Sequence, residues 1–165
     1  MKAKALKIIL ALQLISALTA FVFGFFAGKV NATKEGMPLA LFFLDFLMGN
    51  FFENWLNIFV RNYALSFVLY VINCVTFGVF GIFNLLTIFF VIGFSCFYST
   101  GLFYYLFILF EASGFLYSTF SSTNLKFEMN QKGLKSCRGN MSRDLLSIIF
   151  ILSIASFLEV LAMKN

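Results

Sequence analysis

The sequence predicts an all-α, polytopic helical membrane bundle. It should hold about five transmembrane helices and one further interfacial or re-entrant helix. Two observations carry this expectation. First, 61% of the 165 residues are hydrophobic, only 12% are charged, and the mean hydropathy is +0.95. A soluble domain needs roughly half its residues polar to face water, so lipid must solvate most of these side chains. Second, the apolar residues gather into runs close to the roughly 20 residues that a helix needs to cross a bilayer. Short basic or polar segments separate them. The length suits a single membrane domain over 1–165.

The first span is expected over 5–28, preceded by Lys2, Lys4 and Lys7. Its apolar run is too long for a signal-peptide core and no small-residue cleavage pattern follows, so a retained helix is expected. Ser16, Ala20, Gly24 and Gly28 recur every four residues and line one face. Small residues at that spacing let another backbone approach closely. The face is therefore a packing seam, either within the chain or between two copies. Residues 29–38 hold the only Pro and read as a loop.

Residues 39–61 are rich in Phe but carry Asn50, Glu53, Asn54, Asn57 and Arg61 at helical spacing, with Trp55 and Tyr63 near the end. Amphipathic rings favour the head-group level, which suggests a helix lying in the interface or re-entering it, the alternative being a spanning helix whose polar face turns inward. Further spans are expected over 64–80, 84–98, 101–120 and 145–163, with Gly78 and Gly81 marking a break after the first of these. Residues 121–144 read as a hydrophilic connection carrying Lys126, Lys132, Lys135, Arg138 and Arg143, which suit contacts to lipid head groups. With the N-terminus cytoplasmic, eight of the 12 Lys and Arg residues lie on the inner side, the arrangement that membrane insertion favours.

The net charge of +5 does not point to nucleic acid, because the basic residues sit beside apolar spans instead of along a stripe. Histidine is absent, which excludes imidazole as catalytic base or metal ligand. Cys74 and Cys96 lie inside apolar spans and read as small hydrophobes, Cys137 lies in the basic connection, and the spacing matches no metal motif. No cofactor is implied. Neither a D-x-x-D-G nor a G-x-S-x-G pattern occurs, so no enzymatic activity is expected.

Two acidic residues stand out. Glu111 sits midway along the 101–120 span, where an ionised carboxylate is costly unless it meets protein, water or a proton. Glu159 lies in the last turns of the final span, near Ser153 and Ser156, and is expected to be closer to an interface. An acid inside the membrane is either a site for an ion, proton or substrate, or a protonated side chain hydrogen-bonded to a neighbouring helix; both readings stand for Glu111, and the second is expected of Glu159.

The order of these features resembles the stage II sporulation protein M family of small polytopic membrane proteins. The resemblance covers nearly the whole chain. An opening span and a loop lead to a Phe-rich stretch that ends in Arg61-Asn62. The break at Gly78 and Gly81 follows, then Gly93 near the close of a span. Glu111-Ala112-Ser113-Gly114 and Ser156-Phe157-Leu158-Glu159 complete the series. Asn62, Gly93, Glu111 and Glu159 are the positions that carry it. The chain departs from the family in two places. Val91-Ile92 precede Gly93 where Asn is frequent, and Leu106-Phe107-Ile108 stand where Pro-His-Gly often precedes the Glu. The resemblance implies an oligomeric helical membrane protein without enzymatic activity. In sporulating bacteria such proteins work with cell-wall hydrolases during engulfment.

Two functions are therefore expected of a multi-pass protein of the cell membrane. One is a non-enzymatic scaffold or organiser. It would form homo-oligomers through the Ser16/Ala20/Gly24/Gly28 seam and meet lipids and other membrane or envelope proteins through 121–144 and 39–61. The other is a small ion- or proton-coupled channel or transporter with Glu111 as its central acid.

Overall fold

A computed structural model describes residues 2–32, 50–96 and 102–164. Among these residues every regular element is a helix: α1 (Lys2–Ala32), α2 (Phe51–Val75), α3 (Val79–Cys96), α4 (Leu102–Lys132) and α5 (Leu134–Lys164). Four of them, α1, α2, α4 and α5, are long and apolar enough to cross a membrane. The fifth, α3, contributes a shorter apolar stretch over Val79–Phe94.

The surface is what a lipid-facing bundle requires. Phe23, Phe26, Phe52, Phe83, Leu109 and Phe150 are all more than half exposed. The buried face of α2 is instead polar at Asn54, Asn62, Ser66 and Asn73. This inversion of the soluble pattern places polar groups among helices and apolar groups toward hydrocarbon.

The helix expected over 39–61 is not separate within the described residues. Residues 51–61 are the first turns of α2, which runs without a break through Arg61, Asn62 and Tyr63 into the span expected at 64–80. Residues 39–49 lie outside the described residues. The polar residues that suggested one face divide into different roles. Asn50 and Glu53 form a capping box: the Glu53 amide donates to Asn50 Oδ1 at 3.0 Å, and the Asn50 amide donates to Glu53 Oε2 at 3.1 Å. That reciprocal pair satisfies amides that the first helical turn leaves open. Asn54 is buried, while Asn57 and Arg61 are exposed. Asn50→Ala is expected to lower stability by about 1 kcal/mol, read as earlier loss of helicity in a denaturant titration.

The break expected at Gly78 and Gly81 falls at Gly78, while Gly81 lies inside α3. Phe77 and Gly78 both adopt positive φ, 56° and 79°, and turn the chain from α2 into α3. The connection expected at 121–144 is instead mostly helical. α4 and α5 each run 31 residues and meet at Gly133, whose φ is 81°. Each is about 46 Å long at 1.5 Å per residue, against a hydrocarbon core of about 30 Å. Their shared end therefore projects as a helical hairpin. The Asn140 amide donates to Glu128 Oε2 at 2.8 Å across it, and Cys137 is packed inside with Leu125, Tyr70 and Ile148. Cys137 is 1% exposed, so it does not belong to the basic surface on which its sequence neighbours lie.

The helices alternate in direction. α1 and α3 run parallel over their length, joined through Ala17, Ala20, Leu85 and Phe89. α4 and α5 form the hairpin, and α2 leans on both. Trp55, Phe59 and Tyr63 stack at about one-turn intervals along α2, with centroids 6.0 and 5.9 Å apart. The indole N–H of Trp55 donates to the Ser153 carbonyl on α5 at 3.1 Å. One end of the bundle thus gathers the start of α1, the α2–α3 turn and the tip of the hairpin. Lys4, Lys7, Lys126, Lys132, Lys135, Arg138 and Arg143 belong to these segments.

The small-residue face of α1 is filled by α3. Ala20, Gly24 and Gly28 are buried, and Ser16 is half-buried with its hydroxyl donating to the Leu12 carbonyl. A Cβ at Gly24 would collide with the Phe90 carbonyl, and one at Gly93 with the Phe21 carbonyl. The two glycines let the parallel backbones touch, as small residues do between membrane helices. Within the chain, α3 packs against this face at Gly24.

Candidate functional site

The polar faces of α2, α4 and α5 meet inside the bundle. Asn62 on α2 is 5% exposed, and its amide donates to Glu111 Oε1 on α4 at 3.1 Å. Glu159 on α5 lies close enough for its charge to act on Glu111, and the Arg61 guanidinium is within electrostatic reach of both acids. Three helices thus deliver two carboxylates, one amide and one cation to one region. Asn62 reaches it because it follows Ile58 by one turn on the buried face of α2.

The two acids differ in how far the helices bury them. Glu159, expected near an interface, is 5% exposed, and its Oε2 has no hydrogen-bond partner. Glu111 is half-buried. The reason is rotational position: Glu159 follows Ala155 and Ser156 on the packed face of α5, whereas Glu111 lies at the edge of the face that α4 turns to α2. The nearby hydroxyls give Glu159 no help, since Ser156 donates to the Leu152 carbonyl. Arg61 is exposed and reaches Glu111 by its charge.

The polar lining continues toward the basic end. The Ser118 hydroxyl donates to the Ser66 carbonyl at 3.1 Å. Beyond it lie Thr119, Ser122 and Thr123 on α4 and Asn73 on α2, all at most 2% exposed. Gln13 of α1 closes this region. Its amide donates to the Gly78 carbonyl at 2.7 Å and to Thr123 Oγ1 at 2.9 Å. Gln13 Oε1, both polar side-chain atoms of Asn73 and Asn84 Nδ2 are buried without partners. Such atoms ordinarily find a partner, and this set holds both donors and acceptors, as a bound water requires. Gln13 was not singled out from the sequence, although a lone amide within an otherwise apolar span is a legible signal. Gln13→Leu should destabilise the fold by about 1–3 kcal/mol, because the Gly78 carbonyl and Thr123 Oγ1 both lose a buried donor. A shift of the unfolding midpoint in mixed micelles measures this.

A third polar group lies beside the hairpin. The hydroxyls of Tyr70 and Tyr117 donate to the two oxygens of Asp144, at 3.3 and 3.2 Å. Asp144 is thereby turned inward, 7% exposed, while Arg143 beside it faces out. Of the basic residues expected at lipid head groups, Lys132, Lys135, Arg138 and Arg143 are exposed. Lys126 is half-buried, with its ammonium 4.8 Å from the centroid of the Phe77 ring. The four positions that carried the family resemblance fall in two places. Asn62, Glu111 and Glu159 belong to the interior centre, and Gly93 belongs to the α1–α3 contact. No protein-family model matches the chain, and neither the curated proteins nor the solved structures hold a significant match.

Proposed function

We propose that this chain is a multi-pass protein of the cell membrane that takes up a proton or a small monovalent cation at the Glu111–Glu159 centre. The polar lining of the bundle would then pass it along. The observation that carries this reading is the charge count at the centre. Two carboxylates and one guanidinium leave one negative charge if all are ionised. An uncompensated charge away from water is costly, and one proton or one monovalent cation removes it. The line of buried hydroxyls and amides from Ser66 to Gln13 supports a route toward the basic end. By the excess of Lys and Arg, that end would be cytoplasmic, with the N-terminus inside.

Three of the positions behind the resemblance to the stage II sporulation protein M family, Asn62, Glu111 and Glu159, belong to this centre. A second reading, a non-enzymatic scaffold, is favoured by the projecting hairpin. Its exposed Lys132, Lys135 and Arg138 could engage membrane lipids or an acidic partner protein. Homo-oligomers in this reading would need a face other than the α1 seam.

The test is flux in proteoliposomes carrying a pH-sensitive dye, with proton, Na⁺ and K⁺ gradients imposed in turn. Dissipation of one gradient above the leak of empty liposomes is expected. No flux under any of the three would overturn the transport reading and leave the scaffold.

A further inference from the structure

The outer face of α5 carries a groove that the proposed transport centre does not use. It has a volume of about 730 Å³ and is open to the surroundings along one side. Gly139 and Arg143 stand at its head, Leu146, Phe150 and Ile151 form its floor, and Tyr117 of α4 backs it. Residues 139, 143, 146 and 150 follow helical spacing, so the polar head and apolar floor are one continuous stripe. Arg143 to Phe150 spans about 10 Å along the helix. Leu146 and Phe150 are 66% and 68% exposed.

The charge exposed at the head of the groove is positive, with the Asp144 carboxylate behind it within electrostatic reach of Arg143. Among the described residues, no hydrogen bond or ion pair engages the Arg143 guanidinium. The neighbouring Asp144 faces inward onto Tyr70 and Tyr117, and Glu128 is held by Asn140. Arg138 and Lys135 follow toward the tip and are exposed. Arg143 also sits at the depth where the hairpin's polar tip gives way to its apolar stretch. A ligand suited to this surface carries an anionic head at that depth and a hydrocarbon chain below it.

We propose that this groove is a binding site for one anionic phospholipid, its phosphate paired with Arg143 and one acyl chain laid over Leu146 and Phe150. A guanidinium pairs with phosphate in a planar, two-pronged contact that a zwitterionic lipid must share with its own cation. Gly139 leaves the head open, since a Cβ there meets nothing within 4 Å.

Native mass spectrometry of the detergent-purified chain tests this, with phosphatidylglycerol or phosphatidylcholine added. Wild type should retain one phosphatidylglycerol per chain in preference to phosphatidylcholine. Arg143→Gln should weaken that retention about five- to ten-fold, the effect of one basic residue near an anionic lipid. Gly139→Leu, which adds a side chain at the head of the groove where a Cβ meets nothing within 4 Å, should weaken it as well. Lys29→Gln, in the last turn of α1 at the other end of the bundle, should leave it unchanged. Equal retention of both lipids, equal losses in Arg143→Gln and Lys29→Gln, or full displacement by soluble glycerol phosphate would each overturn the proposal. The last would mean an anion site without a chain site.

Discussion

Glu111→Gln is expected to reduce flux to the leak of empty liposomes while leaving the fold intact. Gln has nearly the shape of Glu, and its carbonyl oxygen can still accept the bond from Asn62 that Glu111 Oε1 takes at 3.1 Å. What changes is charge. With one carboxylate removed, Glu159 and Arg61 balance each other, and the centre no longer needs a proton or a cation. Glu53→Gln is the matched control. It alters a carboxylate on α2 that serves the capping box, and it should leave flux unchanged. The readouts are dye-reported flux and the fraction of protein that stays monodisperse after purification. Full flux in a well-folded Glu111→Gln variant would remove the centre from the mechanism. Such a result would make Asn62–Glu111 an ordinary interhelical hydrogen bond.

Gly24→Leu should be the most damaging substitution in the apolar part of the bundle, lowering stability by about 3 kcal/mol or more. The first added atom already meets the Phe90 carbonyl, and backbone cannot move aside as a flexible side chain can. α1 and α3 would have to separate along the contact that Ala17, Ala20, Leu85 and Phe89 share. The measurement is an unfolding titration in mixed micelles beside a determination of oligomeric state. Gly139→Leu provides the comparison, because that site is open and should cost nothing. A large loss of folding stability at unchanged oligomeric state is expected. The reverse pattern, dissociation at unchanged stability, would show that the seam joins two copies.

Much of the candidate centre was visible before the helices were assembled. A carboxylate in an apolar run is conspicuous at any position, and Glu111 and Glu159 were identified for that reason. Their meeting was not visible. Helical spacing tells which residues share a face but not which helix that face will meet. Arg61 shows the difficulty well. Next to Trp55 and Tyr63 it resembled the end of an interfacial helix, because a cluster of polar groups is the ordinary mark of a membrane boundary. α2 instead continues through it, since Asn62 turns onto the buried face and hydrogen-bonds to Glu111. Polar side chains satisfied by neighbouring helices do not end a span. The same confusion affected 121–144, where charged side chains suggested a loop. Helices α4 and α5 extend past the apolar stretch there because the backbone satisfies itself with or without lipid around it.

The sequence by itself determined the solvent, the all-helical class, the approximate places of the apolar helices and the small-residue face of α1. Each of these follows from hydrophobicity and period, which are local properties of the chain. Only the tertiary structure decided that α3 fills that face, that Gln13 reaches Thr123 across the bundle, and that Asn62, Arg61, Glu111 and Glu159 share one centre. These outcomes depend on which helices become neighbours and how each is rotated about its axis. Packing between residues as much as 110 positions apart settles that, and no local pattern encodes it.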